Sequence, residues 1–356
     1  MNKLLSWAMG NREAAGAQGP QKRVHLALQG GGAHGAFTWG VLDHLLEDGR
    51  LAVVDISGAS AGAVNAVMLA DGLLHGGPDE ARKRLADFWR AASIGGNLPE
   101  LQRHVIERLF RATPLAGSPV KDWLHTMGGL LAPADLNPLN INPLKQLIER
   151  FADFAAIRAD TSRELFIAAT NVQTGDLRIF RRAEISAEAV MASACLPLLF
   201  RAVEIGGVPY WDGGYTANPP LLPFLDAKDA DLLIVQVYPQ MRQKTPESTR
   251  QIMSRASEIS FNAPLLAELR AIDLIGRQDE ERGGARRLRL HRVALEEMEE
   301  TFDSASRLHN GYEFFDKLRR LGQAAAQRFL ETHFEDIGNR GTIDLFAGSD
   351  AERVHA

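Results

Sequence analysis

The chain has 356 residues, a formal net charge of -5, 45% hydrophobic and 24% charged residues, and 32 glycines. This is the composition of a globular protein with many tight turns, long enough for a sizeable core. The acidic balance argues against a whole-surface grip on nucleic acid, and the single cysteine, Cys195, excludes an intrachain disulfide or a cysteine-based zinc site of the usual spacing.

In chain order, residues 1–22 carry Leu4, Leu5, Trp7 and Met9 in a stretch too short and broken for a signal peptide or a membrane span. They predict a flexible tail on a cytoplasmic protein, making at most weak peripheral contact with a bilayer. Val24–Gln29 is a short apolar run ending at Gly30-Gly31-Gly32, which predicts a strand running into a tight loop. A helix follows over 35–48, with Phe37, Val41, Leu42, Leu45 and Leu46 at helical spacing and Gly49 as its stop. Val53–Ser57 predicts a second buried strand, broken by Gly58, then a helix from Ala61 through Leu74 that ends at Gly76-Gly77-Pro78. Strand, helix, strand, helix implies parallel pairing.

Residues 79–154 lack clear strands and carry amphipathic stretches such as Ala81–Ala92 and Pro143–Phe151, interrupted by several prolines, which predicts a helical insertion. Strands return at 164–172 and 177–180 around the turn Thr174-Gly175-Asp176, and at 231–238, whose Leu232-Leu233-Ile234-Val235 core predicts burial on both faces. The expected fold is an α/β three-layer sandwich on a mixed, mainly parallel sheet, with a helical C-terminal extension. A long helix is predicted beyond Pro246, an edge strand over the basic segment 286–293, and a last helix over about 304–333.

Chemistry concentrates in three glycine-containing turns. Gly58-Ala59-Ser60-Ala61-Gly62 lies between a buried strand and a helix, the setting in which a G-x-S-x-G sequence presents a serine hydroxyl at the sheet end, although a serine capping that helix fits the same letters. Gly30-Gly31-Gly32-Ala33-His34-Gly35 also joins strand to helix. As a dinucleotide fingerprint it lacks the acidic residue at the end of the second strand; as a P-loop it lacks Gly-Lys-Ser/Thr; as an oxyanion hole it offers bare amides. A serine needs a base, yet none of the ten histidines has a distinctive setting: His25 falls in a strand, His34 in the glycine loop, His44 in a helix, and His291, His309 and His333 near the C-terminus. Asp212, in Trp211-Asp212-Gly213-Gly214-Tyr215, is the carboxylate alternative, against the plain reading of an Asp-Gly turn.

These motifs, in this order, together with Ala192-Ser193-Ala194-Cys195-Leu196-Pro197, resemble the patatin-like phospholipase family over roughly Leu26 to Lys228. The resemblance implies a division into a tail (1–22), an acyl hydrolase domain (26–228) and a C-terminal part (229–356) that completes the sheet and extends it with helices. It implies Ser60 as nucleophile, Asp212 as general base, and the amides of Gly31, Gly32 and Ala61 as the oxyanion hole. Gly30, Gly35, Gly58, Gly62, Gly213 and Gly214 are its motif glycines. No metal or cofactor is implied. The family usually has Arg or Lys where this chain has His34, and an imidazole of ordinary pKa, about 6.5, is mostly neutral at pH 7.

The expected partner is a lipid or acyl ester substrate, with no nucleic acid. Leu109, Phe110, Leu115, Trp123, Leu130 and Leu131 are candidates for an acyl slot or for ordinary core, and the basic segment 282–292 suits either anionic headgroups or a charge-protected sheet edge. Cys195 reads as a packed small residue. Three functions compete: a phospholipase A or lysophospholipase, an esterase or acyltransferase on another ester, and a non-catalytic module on a hydrolase fold.

Overall fold

Strand β1 (Lys22–Leu28) runs into the glycine loop and helix α1 (Gly35–Asp48), which ends at Gly49 in a left-handed conformation with φ 72°. β2 (Leu51–Gly58) leads through Ser60 into α2 (Ala61–Ala92). The computed structural model describes residues 21–93, 143–197, 200–227, 230–242, 244–284, 288–295 and 311–343. Residues 1–20 of the predicted tail, the proposed acyl-slot residues Leu109 to Leu131 and the start of the predicted last helix lie outside these residues, while Lys22, counted with the tail in the sequence, already opens β1. α2 bends at Gly76 and Gly77, where the sequence predicts a stop; Pro78 then opens a second helical segment, a position that costs no helical N–H bond.

After α3 (Pro143–Phe151) and α4 (Phe154–Ala159), the hairpin β3 (Leu165–Asn171) and β4 (Leu177–Arg181) forms around the predicted turn. α5 (Ala187–Ser193) and a second hairpin, β5 (Val203–Ile205) and β6 (Val208–Asp212), follow. The chain closes with β7 (Ala230–Gln236), α6 (Thr249–Glu281), β8 (Leu288–Ala294) and α7 (Tyr312–His333).

One eight-stranded sheet has the order β5-β6-β3-β2-β1-β7-β8, with β4 also on β3. β3, β2, β1, β7 and β8 are parallel, while β4 and β6 run antiparallel to β3, and β5 antiparallel to β6. Alternate residues of the central strands enter two cores: Leu233 and Val235 of β7 face the side covered by α1, α2 and α7, and Leu232 and Ile234 meet Leu265, Leu269 and Ile272 of α6. The double burial explains why β7 reads as an unbroken apolar run. α7 crosses α1 at backbone distance, since a Cβ on Gly40 would lie 1.9 Å from the Arg319 carbonyl oxygen and one on Gly322 would lie 2.1 Å from that of Phe37.

From Leu288 onward the basic segment forms the edge strand β8. Arg289 is held by Asp231 through two bonds of 3.0 and 2.9 Å, and Arg292 donates to the Gln240 amide oxygen at 3.0 Å. Burial pushes the Asp231 carboxyl up, but hydrogen bonds from His291 and Arg289 outweigh it and hold the group at about 2. Arg289 therefore serves the sheet edge rather than an open cationic surface.

Candidate active site

Sheet register brings the serine turn and Asp212 together. β3 has two edges, and β4 occupies one of them over Phe166 to Thr170. β2 and β6 must share the other: Gly58 lies opposite Ile167, and Asp212 lies opposite Ala169, two residues further along. The C-terminal ends of β2 and β6 thus meet end to end, about 7 Å apart along β3 at the usual rise per residue.

Ser60 turns the chain at that junction with φ 54° and ψ -124°, the one positive φ of a non-glycine residue among those described. Such a conformation costs on the order of 1–3 kcal/mol and persists where the surroundings over-determine it. Gly62 permits the turn because a Cβ there would lie 2.0 Å from the Leu28 carbonyl oxygen. The Ser60 side chain does not cap α2, which removes the helix-cap reading; its hydroxyl faces the Asp212 carboxylate closely enough to favour the charged form of that group. The Ser60 amide donates to the Ser193 hydroxyl at 2.9 Å.

Asp212 ends β6 rather than sitting in a free turn. It is buried, and its Oδ1 accepts the Gly214 amide at 2.7 Å. Burial raises its pKa from 3.8 to about 6, with the hydrogen bonds from Gly214 and Ser60 offsetting part of the rise. Its backbone is pinned on both sides: the amide donates to the Cys195 carbonyl at 2.9 Å, and the Thr170 hydroxyl donates to its carbonyl at 2.8 Å. Ser193 and Cys195 therefore give the Ala192–Pro197 motif a physical task, bracing Ser60 and Asp212 at once. The Cys195 thiol is itself buried, which pushes its pKa up to about 11, against a nucleophilic role.

The glycine loop passes beside Ser60, because a Cβ on Gly30 would lie 2.6 Å from the Ser60 Cβ. Gly32 takes φ 59° and is exposed. The start of α1 abuts that of α2, with a Cβ on Gly35 falling 2.8 Å from the Ala61 Cβ. Two helix N-termini thereby direct partial positive charge toward the serine turn. Among the described residues, the amides of Gly31, Gly32 and Ala61 have no hydrogen-bond acceptor, whereas Gly30 donates to the Asn218 Oδ1 at 2.7 Å. His34 is buried, its ring 6.3 Å from that of Phe314. His25 lies 3.2 Å from Asp55, His291 2.9 Å from Asp231 and His333 2.9 Å from Asp336, so carboxylates away from Ser60 engage all three. Among the described residues no cluster of three or more His, Cys, Asp or Glu has the arrangement to hold a metal ion.

A buried amide network absent from the sequence reading supports the loop. The Gln29 side chain donates to the Asn218 carbonyl and the Asn262 Oδ1 at 3.2 and 2.9 Å, and its Oε1 accepts from the amides of Val237 and Tyr238 at 2.8 and 2.9 Å. The only local signal for it is the placement of Gln29 at the end of an apolar strand. Asn218→Ala leaves the Gly30 amide unpaired in the core and frees the loop. The expected result is a kcat about 10- to 100-fold lower with KM changed little, and a stability loss of about 1–3 kcal/mol. Steady-state kinetics on a soluble ester and urea denaturation measure both; an unchanged kcat would show that Asn218 does not aim the loop.

A family model described as patatin-like phospholipase matches residues 26–225. Among solved structures, VipD from Legionella pneumophila is 17% identical, with 85% of this chain and 67% of that one covered and a TM-score of 0.37. The type III effector ExoU is 16% identical, with coverage of 90% and 54% and a TM-score of 0.39. ExoU of Pseudomonas aeruginosa in its complex with SpcU is 15% identical, with coverage of 89% and 52% and a TM-score of 0.36. The chain spans about half the length of ExoU. No curated protein matches it.

Proposed function

Since the chain belongs to the patatin-like phospholipase family, a family of lipolytic hydrolases, we propose that it cleaves carboxylic esters of lipids through an acyl-enzyme, with Ser60 as nucleophile and Asp212 as base. The observation that carries this reading is the sheet register that sets the Ser60 turn against the buried Asp212 carboxylate, whose pKa, about 6, lies near neutrality. A base so placed takes a proton at neutral pH and can return it.

Ser60 Oγ attacks the ester carbonyl as its proton passes to Asp212. The oxyanion that forms is met by the amides of Gly31, Gly32 and Ala61, where each donor is worth about 2.7–4 kcal/mol in comparable hydrolases. Collapse breaks the bond to the alcohol, which leaves with the proton from Asp212. Water, deprotonated by Asp212, then attacks the acyl-enzyme, and as the bond to Ser60 Oγ breaks Asp212 returns the proton to that oxygen and the acid is released. A buried carboxylate suits this role because desolvation makes it more basic than it would be in water.

The substrate assigned is a phospholipid or lysophospholipid. A fluorophosphonate should label Ser60 in the native chain and leave Ser60→Ala protein unlabelled, and fatty acid release from phospholipids should exceed that from neutral esters. Labelling with preference for neutral esters would keep the dyad and move the substrate to another ester class. No labelling would return the chain to a non-catalytic module.

A further inference from the structure

A helix packed on a sheet ordinarily buries its apolar stripe and shows its polar side to water. Over its first half α6 does the opposite. Its buried residues Ser254, Glu258 and Asn262 are polar, whereas Ile252, Met253 and Ile259 are 50%, 66% and 54% exposed, with Ala256 and Ala263 exposed beside them. Met241, in the segment between β7 and α6, is 83% exposed.

The inward polarity has a cause. Asn262 belongs to the amide network under the glycine loop, and Glu258 receives Arg242 and Arg255 at 2.6 and 3.2 Å. Nothing in that packing accounts for the outward apolar residues. Their position ties them to the candidate site: Phe261 of the same helix stacks on Tyr238, with ring centroids 5.7 Å apart, and meets Tyr215 at 5.2 Å. Tyr215 is exposed and follows Asp212-Gly213-Gly214, so the apolar patch continues to the rim beside the candidate base. The surrounding sequence, Met241 to Ser260, holds Arg242, Lys244, Arg250 and Arg255 against Glu247 and Glu258, a cationic excess on a chain of formal charge -5.

We propose that Met241, Ile252, Met253 and Ile259 form an interfacial surface that seats the protein on an anionic lipid bilayer with the Ser60 site at its edge. The assignment rests on the lipid hydrolase reading above. Charge decides between a bilayer and a second copy of the chain: two such faces repel each other, while anionic headgroups attract the cations and the exposed side chains enter the acyl boundary. The buried polar side of α6 and its exposed apolar side are then two halves of one arrangement, the first ordering the site and the second presenting it to substrate.

The test uses full-length Ser60→Ala protein, which leaves lipid intact, and vesicles of equal parts phosphatidylcholine and phosphatidylglycerol. The protein should co-sediment with them, more weakly at high salt, and the triple substitution Met241→Ser, Ile252→Ser, Met253→Ser should lower partitioning at least about tenfold. With Ser60 intact, the triple variant should lose vesicle hydrolysis while turning over a soluble short-chain ester at the original rate, which also reports that it is folded. Unchanged partitioning, equal binding to pure phosphatidylcholine, or a dimer that the same substitutions dissolve would each overturn the proposal. Vesicle binding by a chain that hydrolyses no ester would sink the hydrolase reading and leave the surface standing.

Discussion

Ser60→Ala protein is expected to hydrolyse a soluble ester on the order of 10⁴-fold or more slowly than the native chain while melting within a few degrees of it. The activity loss follows from removing the hydroxyl that faces the Asp212 carboxylate. The small stability effect follows because the Ser60 side chain caps no helix and is partly exposed. Ser60→Gly sharpens the test. Both variants lack the nucleophile, but glycine adopts φ 54° without the penalty alanine incurs, so the glycine variant should be the more stable by about 1 kcal/mol. Retained activity in either variant would remove Ser60 from the mechanism; equal stability would mean that the turn carries no strain.

Asp212→Asn should cost about 10³- to 10⁴-fold in kcat, with an opposite effect on stability. Asp212 accepts a proton only as the carboxylate, so kcat/KM of the native chain should fall as pH drops below about 6 and level off above it. Residual activity of the variant should lack that inflection. For stability the sign runs against the usual carboxylate. The folded pKa, about 6, exceeds the ordinary 3.8, so the native state binds the extra proton between these values. The contribution of this group is therefore greatest below about pH 4, is lost as pH rises toward 6, and stays lost above. That rise corresponds to about 3 kcal/mol at most, because burial disfavours the charge. The neutral asparagine avoids this cost, so the variant should gain over the native chain in urea melts at pH 8 and gain little at pH 4. A variant less stable than the native chain at pH 8 would contradict the assigned cause of the raised pKa.

The hairpin β5–β6 and helix α5 show where reading the sequence stopped short although signals were present. Gly206 and Gly207, both at positive φ, join Val203–Ile205 to Val208–Asp212 as a tight hairpin turn does, but the strands are short and Pro209 argues against a strand. Ser186 caps α5 by accepting the Ala189 amide, a local signal hidden in a helix of only seven residues. By contrast, the strands around the two glycine loops, the turn at 174–176 and the long helix after Pro246 were legible, since periodicity and glycine breaks act within a few residues.

The sequence by itself determined that Ser60 stands between a buried strand and a helix, that bare glycine amides precede it, and that Asp212 follows with two glycines. These are properties of short windows, in which backbone freedom and side-chain period leave a direct mark. Only the tertiary structure decided that Ser60 and Asp212 come together, because their meeting depends on β2 and β6 sharing one edge of β3, a register set by pairs far apart in the chain, Gly58 with Ile167 and Ala169 with Asp212. The same holds for Ser193 under the serine turn and for Gln29, Asn218 and Asn262 beneath the glycine loop. Their polarity is ordinary in sequence and acquires a role once burial removes water and leaves each hydrogen bond a single partner.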